Sequence, residues 1–167
     1  MSGCQVFVTV GTTSFDELVQ EIIQPEIIEV LEAKGYKHMM LQIGKSQLNS
    51  QIPQKIVGMT VDYYRLKPNI SDDFARSSLV ISHAGAGCCL EALSMKKDLI
   101  IVINEKLMGN HQVELATKLS ESGHAITCTP KTLLETLRPK NDVELHPCCT
   151  LFNEHNYTHI LSKIDKI

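Results

Sequence analysis

Residues Leu79–Glu91 read L-V-I-S-H-A-G-A-G-C-C-L-E. The apolar run Leu79–Ser82 is predicted to be a buried strand, His83–Gly87 a tight turn, and the stretch from about Gly87 to Met95 a helix. Glycines at 85 and 87 let the backbone turn sharply and bring N–H groups close to a ligand. The helix starting there aims its first amides and its positive dipole end at the same point. That suits a diphosphate without a metal, each charge–dipole contact contributing roughly 0.3–2 kcal/mol. Glu91 lies one turn into the helix, where a carboxylate can accept hydrogen bonds from ribose hydroxyls. His83, directly before the turn, can donate from its imidazole to a phosphate oxygen. Plainer readings stand beside these: a strand-to-helix turn with no ligand, and a structural histidine at a strand end. Leu90 occupies the place where G-x-G-x-x-G needs its last glycine, and no G-K-S/T follows, so the stretch is neither a dinucleotide fingerprint nor a P-loop.

Outward from this turn, strands alternate with helices. Towards the amino terminus, Gln5–Val10 is a strand ended by Gly11. A helix pattern runs from about Phe15 to Lys34, with Pro25 splitting or kinking it. His38–Ile43 is a second strand, Lys45–Lys55 a polar loop, Val57–Tyr64 a third strand and Ile70–Arg76 a short helix. Towards the carboxyl terminus, Leu99–Ile103 is a fully apolar strand. After it come the polar loop Asn104–Asn110, a helix over His111–Ser122, a short strand at Ala125–Cys128 and a short helix at Lys131–Leu137. Phe152–Ile164 closes the chain as an amphipathic helix with Tyr157, Ile160, Leu161 and Ile164 along one face. This alternation implies right-handed βαβ units and a doubly wound, mostly parallel Rossmann-like sheet in one domain over residues 1–167. Ligands of such sheets bind at the carboxyl ends of the strands.

Two further loops lie at those ends. Asn110, His111 and Gln112 place amide and imidazole groups at a helix start; Asn110 caps that helix or meets the ligand, and Gln112 can bond sugar hydroxyls. Gly11, Thr12, Thr13 and Ser14 form a small polar turn whose hydroxyls either cap the next helix or touch a phosphate; taken alone, capping by Thr13 or Ser14 accounts for them. Asp62, Asp72, Asp73 and Glu105 lack such a setting and are predicted to be solvated. His155 and His159 share a helix face, but two ligands do not make a zinc site, and no metal is expected.

Composition excludes several classes. The net charge of −3, with no block of Lys or Arg, shows no nucleic-acid footprint and no polybasic membrane patch. No apolar run approaches the ~18–20 residues of a membrane span. The six cysteines include the adjacent pairs Cys88–Cys89 and Cys148–Cys149 and lack C-x-x-C spacing; with a strand starting almost at once in place of a leader, they read as reduced thiols of a cytoplasmic protein.

Three blocks together carry a resemblance: V-F-V-T-V-G-T-T-S-F-D-E-L from Val6, H-A-G-A-G with Glu91 from His83, and I-V-I-N-E-K-L-M-G-N-H-Q-V-E-L-A from Ile101. In combination they resemble the carboxyl-terminal domain of glycosyltransferase family twenty-eight, and within it the small subunit of the two-chain UDP-GlcNAc transferases that make dolichyl-diphosphate-chitobiose. The resemblance implies the donor-binding half of a GT-B glycosyltransferase. It implies transfer of GlcNAc from UDP-GlcNAc to dolichyl-diphosphate-GlcNAc, with inversion, no cofactor and no obligatory metal. The partner it implies is a membrane-anchored acceptor-binding subunit of the asparagine-linked glycosylation protein fourteen type, at the cytosolic face of the endoplasmic reticulum. By position, Gly11, Thr12, Thr13, Gly85, Ala86, Gly87 and the Cys88 amide would meet the donor's phosphates. Glu91 would hold the ribose, Asn110 and Gln112 the sugar side, and His83 the leaving diphosphate. Tyr157, Ile160, Leu161 and Ile164, on the helix at about 152–166, would dock on the partner. The general base is not assigned, because the acceptor lies across the cleft. Two departures stand out. Cys88 replaces the family's common Ser or Thr, and Lys96-Lys97-Asp98 replaces its Gly-Lys-Pro. The first motivates an alternative, a non-catalytic paralogue with weakened donor binding; the second predicts a packing effect away from the crevice.

Overall fold

The structure is a computed structural model that describes residues 5–48, 51–106 and 110–138, the side chains of Asn110 and His111 excepted. The terminal helix at 152–166 and its residues Tyr157, Ile160, Leu161 and Ile164 lie outside the described residues. Strands β1 (Gln5–Thr9), β2 (His38–Gln42), β3 (Lys55–Ile56), β4 (Met59–Tyr64), β5 (Ser77–His83), β6 (Asp98–Val102) and β7 (Ile126–Cys128) form one seven-stranded sheet in the order β3-β4-β2-β1-β5-β6-β7. Only β3 runs antiparallel to its neighbour. The helices are α1 (Asp16–Ile22), α2 (Pro25–Ala33), α3 (Ser71–Arg76), α4 (Ala86–Ser94), α5 (Asn110–Glu121) and α6 (Leu133–Leu137). Among the described residues no helix is long and apolar enough to cross a membrane.

The strands are apolar on both faces because helices cover both. Val6, Val8, Leu79, Ile81, Ile100 and Val102 point to one face, against Leu18, Val19 and Ile22 of α1, Ile27, Ile28 and Leu31 of α2, and Leu133 and Leu137 of α6. The intervening residues Phe7, Val80, Leu99 and Ile101 point to the other face, against Phe74 of α3, Cys89, Ala92 and Leu93 of α4, and Ala116 and Leu119 of α5. Phe7 and Phe74 meet edge to face with ring centroids 5.0 Å apart. Each fully buried Val, Leu or Ile contributes roughly 1.5–3 kcal/mol. A pattern with period two inside continuous apolar runs is what a doubly covered sheet requires.

Local chemistry explains the boundaries. Pro25 is the first residue of α2, so the predicted helix over 15–34 is split in two there. Strand β5 begins at Ser77, before the predicted Leu79, because its pairing with β1 shifts register between Gln5↔Ser77 and Val6↔Leu79 and accommodates Ser78 as an extra residue. Strand β3, predicted as loop, pairs for two residues with β4 through a turn that holds Val57 at φ 53° and anchors the Gly58 N–H on Glu32 Oε2 at 3.2 Å. Two residues carry no periodicity, so sequence patterning does not find them. At the end of α4, Lys96 takes φ 54° and donates its N–H to Leu93 O, while the Lys97 N–H reaches Ala92 O. This is a Schellman cap with a lysine in the left-handed position that glycine fills without strain. The Lys97 ammonium also donates to Ala75 O at 3.0 Å, tying the end of α3 to this loop. Lys96 and Lys97 thus form the cap of α4 and its tie to α3.

The sheet order places the site. From β1 the chain builds outward through β2 and β4, then returns to lay β5 on the other side of β1. Winding reverses between β1 and β5, and the loops leaving them part to opposite faces, opening a crevice at their carboxyl ends. Thr9 pairs with Ser82, and His83 with Val102, so the loops after β1, β5 and β6 all emerge at this edge.

Candidate functional site

At the carboxyl end of β5 the His83 imidazole is held between two glycines. A Cβ built on Gly11 would lie 2.6 Å from His83 Cε1, and one on Gly85 would lie 2.3 Å from His83 Nε2. Any side chain at either position would displace the ring. Gly11 also has φ +64°, which is costly for other residues. His83 Nδ1 is buried and makes no hydrogen bond of ordinary geometry among the described residues. Burial lowers the imidazole pKa from its ordinary 6.5, and a contact with the Thr9 backbone only partly opposes this. The ring is therefore neutral at pH 7, with one N–H to donate and one lone pair.

The α4 amides lie beside it. Gly85 caps α4 at φ −81° and no side chain caps the helix. The first intrahelical bond is Cys89 N–H to Gly85 O, 3.1 Å, so the amides of Ala86, Gly87 and Cys88 have no helical acceptor. A Cβ added to Gly87 would meet nothing within 4 Å. Packing does not explain that glycine, which costs roughly 1 kcal/mol in a helix relative to alanine.

Cys88 turns inward. Its thiol packs at the edge of the core and is pushed above its usual pKa, chiefly by burial, with the side chains of Thr9 and Ser82 opposing the shift and Glu91 reinforcing it. The lost hydroxyl contact anticipated from the sequence therefore lies under the turn, while the Cys88 amide belongs to the exposed first turn of the helix. Cys89 is buried more deeply, its thiol raised to about 12.

The loop after β1 leans on the loop after β2. Thr9 Oγ1 donates to Gln42 Oε1 at 2.5 Å and accepts the Gly11 N–H at 2.9 Å. Lys45 N–H donates to Thr13 O at 2.9 Å, and Phe15 N–H to Ser46 Oγ at 3.2 Å. Thr13 Oγ1 donates to Val10 O, and α1 starts at Asp16 after Phe15 with no side-chain cap. Capping by Thr13 or Ser14 is thus corrected: Thr13 ties its hydroxyl back to Val10, the residue after β1, and Thr12, Thr13 and Ser14 are exposed. On the far side, Lys106 pairs with Glu17 and links the loop after β6 to α1. Gln112 is exposed on the first turn of α5, the helix that follows β6 in the chain.

Glu91 is half-buried, and Ser71 Oγ donates to its Oε1 at 2.7 Å. Asp73, expected to be solvated, is buried instead: Tyr64 Oη donates to its Oδ2 at 2.6 Å, and the Lys67 ammonium, 3.9 Å from the Tyr64 ring centroid, pairs with it at 3.2 Å. Burial, then Asp73, raises the Tyr64 pKa. Sequence reading missed Thr9, Gln42, Ser71 and the Tyr64–Asp73–Lys67 cluster, because each acts through a partner more than five residues away. The one available signal was Ser71 standing beside acidic residues at a helix start.

A prediction follows for pH. A histidine whose folded pKa is depressed stays neutral in the fold while the unfolded chain takes up a proton. Its contribution to stability is complete above about pH 6.5 and is lost as pH falls from there towards the folded value. Thermal melts from pH 8 to pH 5 should show a steeper acid loss in the wild-type chain than in His83→Gln.

The chain is similar in sequence and in fold to known proteins. The chain is 47% identical over 129 residues to the UDP-N-acetylglucosamine transferase subunit ALG13 of Mus musculus, covering 77% of this chain but 11% of that protein. The human protein of the same name is 48% identical over 128 residues, again with 11% of its length spanned. The Saccharomyces cerevisiae subunit is 32% identical, with 85% of this chain and 87% of the relative covered. Among solved structures, an NMR solution structure of ALG13 superposes with a TM-score of 0.64 at 24% identity, covering 99% of this chain and 96% of that one. Acinetobacter baumannii MurG superposes at 0.63 with 15% identity, covering 99% of this chain and 50% of that one, which shows a shared fold. The model of the glycosyltransferase family 28 C-terminal domain matches residues 5–148, from β1 through α6 and beyond, and it is to this family that the chain belongs.

Proposed function

We propose that the chain is the donor-binding subunit of a two-chain N-acetylglucosaminyltransferase that moves GlcNAc from UDP-GlcNAc to dolichyl-diphosphate-GlcNAc. The observation that carries this is the His83 imidazole, seated between Gly11 and Gly85 beside the uncapped amino terminus of α4. In this reading the diphosphate lies on the Ala86, Gly87 and Cys88 amides, with Thr12 and Thr13 at its edge. His83 donates to a phosphate oxygen. Glu91 accepts from the ribose hydroxyls, and Asn110 and Gln112 serve the sugar. The acceptor hydroxyl attacks C1 on the face opposite the phosphate, the C1–O bond breaks with inversion, and the acceptor's proton goes to a base on the acceptor side. Negative charge grows on the departing diphosphate, where the amides and imidazole are already aimed. No metal is required for this neutralisation, and no cofactor takes part.

The acceptor site belongs to a membrane-anchored subunit of the asparagine-linked glycosylation protein fourteen type, which places the chain at the cytosolic face of the endoplasmic reticulum. Relatives named as transferase subunits support a partner. A second reading, a non-catalytic paralogue with weakened donor binding, rested on Cys88; its inward thiol weighs against that, because a serine there would meet the same buried neighbours. Amide NMR titration of the chain with UDP-GlcNAc tests the donor site. Shifts should concentrate at Gly11–Thr13, Gly85–Cys88 and Gln112. Glu91→Ala and Gln112→Ala should each weaken binding about tenfold, the scale of one hydrogen bond to a charged or well-placed group. Unchanged affinity in both variants overturns the assignment.

A further inference from the structure

Glu91 can serve a ribose only if its carboxylate holds one orientation. A glutamate has three rotatable side-chain bonds, and a half-buried one on a helix surface would otherwise sample several rotamers. The structure shows what restricts it. Ser71, the first residue of α3, donates its hydroxyl to Glu91 Oε1 at 2.7 Å. Ser71 is itself fixed from behind: its N–H donates to Asn69 Oδ1 at 2.8 Å, an Asx turn that sets the start of α3. Helices α3 and α4 pack side by side on the same face of the sheet, so the Ser71–Glu91 bond crosses a helix–helix contact. Oε2 accepts from no side chain among the described residues.

We infer that Ser71 is a positioning residue for the nucleotide's ribose: it occupies Oε1 of Glu91, fixes the carboxylate plane, and leaves Oε2 as the acceptor for the 2′- and 3′-hydroxyls. The inference rests on the reading of Glu91 as the ribose acceptor. The chemistry is selective. A carboxylate with one oxygen already satisfied accepts from a vicinal diol without a competing donor. A nucleotide that lacks the diol leaves a partly desolvated carboxylate oxygen unpaired. Ser71 therefore contributes to discrimination between ribose and deoxyribose while touching neither the sugar that is transferred nor the phosphates.

The test is affinity for two probes, UDP and 2′,3′-dideoxy-UDP, measured by amide NMR titration of the full chain as wild type, Ser71→Ala, Ser71→Thr, Glu91→Ala and the double variant Ser71→Ala/Glu91→Ala. The wild-type chain should prefer UDP by about tenfold or more. Ser71→Ala should weaken UDP about fivefold and leave dideoxy-UDP unchanged, and Ser71→Thr, which keeps the hydroxyl, should restore the preference. In the Glu91→Ala background the serine substitution should have no further effect. If Ser71→Ala weakens both probes equally, the residue is merely structural and the inference fails. If Ser71→Ala keeps the wild-type preference while Glu91→Ala loses it, the inference fails and the ribose reading of Glu91 stands. A wild-type chain that does not prefer UDP, or binds neither probe, overturns the ribose reading and the inference together.

Discussion

In the proposed two-chain transferase, Gly85→Ala will lower GlcNAc transfer by about 100-fold or more while the chain still folds, because a group at the reacting site displaced by an ångström costs on that scale. The added methyl would lie 2.3 Å from His83 Nε2 and 2.6 Å from Cε1, so the imidazole must leave its place beside the α4 amides. The backbone is not strained: Gly85 has φ −81°, which alanine adopts freely. The imidazole is the far end of a side chain and can swing away, so the stability cost should be about 1–2 kcal/mol, in the range of overpacking. In a His83→Ala background the methyl finds room, and thermal melts should show that cost disappear. Gly87→Ala should give the opposite stability result. Its methyl meets nothing within 4 Å, so the helix gains roughly 0.5–1 kcal/mol from the better helix former. Donor affinity should nevertheless fall, because the site proposed for the diphosphate lies against that backbone. A stabilised variant that binds less donor would show that Gly87 serves the ligand and not the fold.

Gly44→Ala is expected to damage the fold itself. Gly44 has φ +54°, and a Cβ there would lie 2.2 Å from Thr13 O and 2.8 Å from Gly11 O, both main-chain atoms. The loop after β1 would have to move, breaking the Lys45 N–H to Thr13 O bond and shifting Gly11 from the His83 ring. Left-handed strain together with a backbone clash should destabilise the chain by about 2–4 kcal/mol, lowering the melting temperature by roughly 4–16 °C. Donor binding should fall with it, although Gly44 follows β2 and not the strands that carry the turn proposed for the phosphates. A thermal melt of Gly44→Ala within a degree of wild type would contradict this account of how the loop is supported.

The sheet was legible because its information is local. Val6–Val8, Leu79–Ile81 and Leu99–Val102 are continuous apolar runs, and each is followed by glycine or a polar turn and then a helix pattern. The glycine turn and the helix that follows it were legible for the same reason, since the glycines and the helix start fall within a few residues of one another. What could not be read is what distant segments do to one another. Thr9 looks like any strand threonine, yet it joins Gln42, Gly11 and the Cys88 thiol. Asp73 looks solvated in S-D-D-F, yet Tyr64 and Lys67 from β4 and its loop enclose it. Gly44 reads as a strand terminator, and only the folded chain shows it wedged under the Gly11 loop. The direction of the Cys88 side chain likewise follows from the pitch of α4 on the sheet and not from the identity of the residue.

In the function proposed above, this chain supplies the donor half of a transferase completed by a membrane partner. The direct measurement is GlcNAc transfer from UDP-GlcNAc to a dolichyl-diphosphate-GlcNAc analogue, with the chain alone and with the chain co-assembled with its partner. The expected result is no transfer by the chain alone, transfer by the pair, and its loss in the pair carrying Glu91→Ala. A pair that demonstrably assembles and binds UDP-GlcNAc, yet transfers nothing, would contradict it.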